Sequence, residues 1–186
     1  MTWMNSDGLF VKFGAEESAV WRGGEVSNTE RHEVEYVVDW LDLLSATATV
    51  LGSVKTASDS MAGTFGVVFP DGARIERAET IVITPFTSSG TIGSATMVMG
   101  LNLASDRTTA LDLDGFTTTA FVGSLWDAAG ETQSIIPGST GAGSLFGTTL
   151  TANGVVVVAN SAHATHPLTA GKLKVKVWYS LPQVTS

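Results

Sequence analysis

The chain has no cysteine, and among its 186 residues only 15% are charged, five are proline and two are tyrosine. Without cysteine there is no disulfide, no thiolate nucleophile and no thiolate ligand for a metal, so the fold is expected to rest on packing without staples. No run of about 18 apolar residues occurs, which leaves no candidate for a membrane-spanning helix. The N-terminus lacks a charged region followed by an apolar stretch, so no export signal is expected. Basic residues are scarce too. Ten Lys and Arg stand against 18 Asp and Glu, a net charge of −8. A broad nucleic-acid footprint needs clusters of Lys and Arg, so neither a nucleic-acid nor a membrane partner is expected.

What the chain has in abundance is glycine, serine and threonine, 62 residues or one third of the total, beside an apolar content of 44%. That apolar fraction is too high for a disordered polar tract. Threonine suits a pleated, half-buried surface, while glycine and serine supply turns. At this length one domain can bury roughly 70% of its unfolded surface.

Residues 1–31 read differently from the rest: Trp3, Met4, Leu9, Phe10, Phe13 and Trp21 are spread among glycines, with no sustained helical period. Rings this numerous must be buried against something. They either wrap their own domain or form an arm that docks on a neighbour, where buried aromatics dominate binding. The expected organisation is therefore an N-terminal arm, 1–31, and a β-sandwich domain, 32–186. Trp3, Met4, Leu9, Phe10, Phe13 and Trp21 are the candidate interface residues.

From His32 to Trp40 the pattern alternates, with Val34, Tyr36, Val38 and Trp40 on one face and Glu33, Glu35 and Asp39 on the other. That is a half-buried strand. Residues 41–51 allow a helical turn or a strand, and 52–63 have the composition of a surface loop. Pro70-Asp71-Gly72 is a turn, since proline presets φ and Asp-Gly tolerates the left-handed positions that follow. Residues 74–84 form the longest strand expected. Residues 95–103 alternate, and the Ser-Ser-Gly connection predicts that they pair with 74–84. Further strands are expected at 116–125, at 133–136 and in the valine run 155–159, which is short enough for burial on both faces. Lys172 to Tyr179 alternates most clearly, Leu173, Val175, Val177 and Tyr179 inward and Lys172, Lys174 and Lys176 outward. An acidic outer face at 33–40 and a basic one at 172–179 predict that these strands lie together. Nine to eleven strands and no convincing amphipathic helix indicate an all-β, antiparallel sandwich, jelly-roll-like.

Chemistry-bearing motifs are weak. His163 and His166 are spaced H-x-x-H before Pro167, whereas a zinc-protease helix requires H-E-x-x-H. Asp112-Leu113-Asp114-Gly115, near Asp106, fails the calcium-loop pattern because the EF-hand positions fall on Ala110 and Phe121. An Asp-Gly turn between strands is the simpler expectation. Gly138, Gly141, Gly143 and Gly147 are followed by no lysine, so a phosphate-binding loop is not indicated. No G-x-S-x-G elbow occurs. Neither a catalytic constellation nor a cofactor or metal site is expected.

Several stretches together resemble a group of tailed-bacteriophage virion proteins. They are Met1-Thr2-Trp3-Met4-Asn5-Ser6-Asp7-Gly8-Leu9-Phe10-Val11-Lys12-Phe13-Gly14, Gly24-Glu25-Val26, Pro70-Asp71-Gly72-Ala73-Arg74-Ile75-Glu76 and Ser88-Ser89-Gly90 through Gly100-Leu101. Asp114-Gly115-Phe116, Thr151-Ala152-Asn153-Gly154 and Thr169-Ala170-Gly171-Lys172 through Tyr179 complete the set. The resemblance spans nearly the whole chain and rests on turn-and-strand signatures. It implies a head decoration, or cement, protein on the capsid exterior of the virion. Its implied partners are the major capsid protein and further copies of itself in a homotrimer. A receptor- or carbohydrate-binding module of a head fibre or tail tip is the alternative, with Trp126 or Trp178 as the sugar-stacking ring.

Overall fold

The computed structural model describes residues 31–51 and 67–181 with their side chains, and the backbone pairing of three short stretches before them. Among the described residues twelve strands follow in chain order: β1 Thr2–Met4, β2 Phe10–Lys12, β3 Gly23–Asn28, β4 Arg31–Asp39, β5 Thr49–Val50 and β6 Val68–Phe69. They continue with β7 Arg74–Ser88, β8 Val98–Leu103, β9 Ala110–Thr117, β10 Thr132–Ile135, β11 Gly154–Ala159 and β12 Leu168–Ser180. Short 3-10 helices occupy Trp40–Leu43, Ile92–Ser94 and Gly123–Leu125.

The strands form two sheets, ordered β1-β2-β3-β4-β12-β7-β10 and β5-β11-β8-β9, with β6 pairing β11 beside this path, and every pairing is antiparallel. With β1–β3 and β6 set aside, the remaining eight strands fall into orders β4-β12-β7-β10 and β5-β11-β8-β9, those of a jelly roll, two interlocked Greek keys. The protein is thus an antiparallel, all-β sandwich.

One core lies between the layers. The larger sheet contributes Val34, Tyr36, Val38, Ile75, Val82, Phe86, Leu173, Val175 and Val177, and the smaller one Met97, Met99, Leu101, Phe116, Val156 and Val158. The valine run of β11 is buried on both faces, as its lack of alternation required, because Val155 and Val157 join Val50 in a second cluster. The Pro70–Gly72 turn forms as expected: Ala73 N–H donates to Pro70 O at 3.1 Å, and Gly72 has φ +80°.

Three expectations need correction. β7 and β8 do not pair. β7 lies between β12 and β10, and the chain crosses through the Ile92–Ser94 helix into the other sheet. Both edges of β7 are taken, one by β12 and the other by β10, which leaves β8 no place beside it. Asp112 to Gly115 is not a turn but part of β9, whose pairing with β8 is irregular there. Gly115 is needed for space rather than for turning, since a Cβ there would meet Leu145 Cδ1 at 2.4 Å. The strand expected at 116–125 ends at Thr117 and gives way to turns. The loop expected at 52–63 lies outside the described residues.

Candidate functional site

The alternation of β4 and β12 fixes which side chains face outward, and the register fixes which of them meet. Lys172 stands opposite Asp39, Lys176 opposite Glu35 and Trp178 opposite Glu33. Lys172 Nζ lies 3.7 Å from Asp39 Oδ2, Lys174 Nζ 3.0 Å from Glu35 Oε1, and Lys176 Nζ 3.4 Å from Glu33 Oε1 and 3.9 Å from Glu35 Oε2. These lysine side chains keep 28% to 45% of their surface exposed, so each pair contributes at most about 1 kcal/mol. The ladder sets the pairing of the first and last strands of the jelly roll more than it stabilises it.

At the end of this ladder the Trp178 Nε1–H donates to Glu33 Oε2 at 3.0 Å. The guanidinium of Arg77, its neighbour on β7, lies 3.9 Å above the indole centroid. Trp126, by contrast, is fully buried and packs edge-on against Phe86, with ring centroids 4.8 Å apart.

The candidate interface residues divide. Trp3 and Met4 lie on β1 and Phe10 on β2; Leu9, Phe13 and Trp21 lie outside the described residues. The backbone of β1, β2 and β3 continues the larger sheet beyond β4, with Met4 opposite Phe10 and Gly24 opposite Glu35. The segment read as an arm thus adds strands to the edge of the sandwich.

Of the groups singled out for metal chemistry, His166, Asp106 and Asp112 take part in local hydrogen bonds. His166 Nδ1 accepts from Thr91 N–H at 3.1 Å, and Asn160 Nδ2 donates to His166 O at 2.9 Å, which ties down the 160–167 loop. Asp106 accepts from the Thr109 hydroxyl at 2.6 Å and from the amides of Thr108 and Thr109 at 2.9 Å each. These bonds, the Thr109 hydroxyl foremost, hold its carboxyl below the usual range. Asp112 accepts from the Ser144 hydroxyl. Partial burial, then the hydrogen bond and charge of Asp112, push the Asp114 carboxyl above the usual range. Among the described residues no three His, Asp or Glu side chains converge in a way that could hold a metal ion.

The sequence pattern did not single out Arg77, nor the large apolar side chains that stay exposed: Val68, Ile83, Leu113 and Ile136, at 42% to 47%. Arg77 meets Trp178 only because β7 pairs with β12, a non-local fact that no short pattern encodes.

No protein-family model matches this chain, no curated protein matches it, and no solved structure matches it.

Proposed function

We propose that this protein is a bacteriophage head decoration protein, which binds the outer capsid surface and stabilises the lattice of the major capsid protein, acting as a homotrimer. The observation that carries the reading is the jelly-roll strand order together with the β1–β3 backbone that prolongs one sheet past β4. Jelly rolls recur in viral capsid and lectin domains, which narrows the field by analogy of fold only. Strands β1 and β2, which hold Trp3, Met4 and Phe10, extend the sheet and supply contact area more readily than a flat face of a compact domain. The resemblance to phage virion proteins across the turn and strand signatures points the same way, and the acidic balance suits a subunit kept away from packaged DNA.

The lectin-like alternative needs an open aromatic platform. Trp126 is buried, and Trp178 already carries Arg77 over its ring. No observation favours this alternative over decoration.

The test is co-sedimentation of the purified protein with particles that lack it. Saturable binding is expected, with particles disrupting at a higher temperature and with binding lost on removal of residues 1–30. Absence of binding to any such particle, or specific retention on a glycan surface instead, would overturn the proposal.

A further inference from the structure

We propose that Trp178, Arg77 and Ile136 form a self-association surface, and that its occupant is the acidic edge Asp112-Leu113-Asp114 of a second copy of this chain. This rests on the self-association within the reading above, and is independent of what the assembled copies bind.

The receiving patch is ordered before any partner arrives. Glu33 and Arg77 fix the Trp178 indole from its N–H and from its face. Two large side chains held in one geometry lose little freedom on binding. Strand register sets Glu33, Trp178 and Arg77 in one row. Continuing the β10 register one residue past the Ile135–Ala78 pair sets Ile136 beside Arg77. Ile135 is buried, so Ile136 turns outward, and it is 47% exposed. A tryptophan and an arginine beside an exposed aliphatic side chain have the composition of an interface hot spot. Arg77 is exposed, and among the described residues no carboxylate lies within ion-pair distance of it, so its guanidinium donors are open to a partner.

The complementary patch lies on the outermost strand of the other sheet. There the register of β9 against β8 shifts, and Leu113, 42% exposed, is flanked by Asp112 and Asp114. Asp112 disfavours the charge of Asp114, and among the described residues neither carboxylate has a cationic partner within ion-pair distance. An arriving guanidinium relieves that repulsion and can bond a carboxylate with two parallel N–H groups. Leu113 then covers the apolar side of the row at Ile136. Because the two patches differ, the contact is head-to-tail, the type that closes into rings, a trimer included.

The cysteine-free chain makes the test clean. Leu113→Cys and Ile136→Cys proteins, mixed under mild oxidation, should give a disulfide-linked pair containing one of each, well above the dimer that either forms alone. Independently, Arg77→Asp and Asp114→Arg should each weaken self-association at least about 30-fold by sedimentation equilibrium, and the double variant should recover most of that loss. Melting curves identify any variant that fails to fold, and the cysteine pair then decides. A wild-type protein that stays monomeric at its solubility limit, single variants that associate normally, or no preference for the mixed disulfide would each overturn the contact. Particle binding is measured separately. A monomer that still binds particles sinks this surface and leaves decoration standing, whereas a charge-swappable oligomer that ignores particles does the reverse.

Discussion

Gly171 sits on β12 with φ +136°, opposite the point where the register against β7 shifts. Ala170 faces Thr87 and Lys172 faces Thr84, so Pro85 and Phe86 together oppose Gly171. Proline has no N–H to give a ladder, and such an irregularity is where a central strand can hold one. A Cβ at position 171 would meet the Phe86 ring at 2.2 Å. Replacement of Gly171 by Ala should therefore cost about 2–4 kcal/mol in urea unfolding, from backbone strain and overpacking together. Asp114 offers a test of opposite sign. Its folded-state pKa lies above its unfolded one, so the native state binds more protons across that window and loses stability as pH rises through it. Asp114→Asn should raise Tm at neutral pH by no more than about 2 °C, and the gain should vanish below the ordinary aspartate range. Residue roles were only partly legible in the sequence. Trp126 stands in a turn-rich stretch and offered itself as an open ring, yet Phe86 and the core enclose it. Nothing local to Trp126 reports that.

At the level of elements, legibility followed alternation. β4 and β12 each carry a strict two-residue period with charges of opposite sign, and the expected pairing is present along nine residue pairs. Reversing all three lysines, Lys172→Glu with Lys174→Glu and Lys176→Glu, should lower stability. Part of that loss should return in high salt, since the exposed members of the ladder are screened. A double-mutant cycle on Lys174 and Glu35 alone should give a coupling below about 1 kcal/mol. Sheet assignment was less legible. The Ser-Ser-Gly link between β7 and β8 has hairpin composition but changes layer, and what separates the two outcomes is that β12 and β10, both distant in sequence, take the two edges of β7. β9 was missed before residue 116 because Asp112 and Asp114 read as turn residues, although an edge strand tolerates charge well.

For the whole molecule, charge is segregated by layer. The larger sheet and its margins hold Arg31, Arg74, Arg77 and the three β12 lysines, roughly balanced by Glu33, Glu35, Asp39, Glu76 and Glu79. Asp71, Asp106, Asp112 and Asp114 lie elsewhere among the described residues, with Arg107, whereas Glu131 adjoins β7, its carbonyl accepting from Val82 N–H at 2.9 Å. If copies assemble head-to-tail through opposite patches, association should weaken steeply with added salt in light scattering, whereas a purely apolar contact would not. β12 has a further consequence, because it follows β4 and β7 in the chain by a long way and yet sits between them. A growing polypeptide must keep a vacant slot between these two neighbours until residues 168–180 leave the ribosome, and during that interval both lips of the slot can capture foreign strands. A gene terminated after Lys172 should yield insoluble material with no cooperative melt, while the full-length product folds late and all at once.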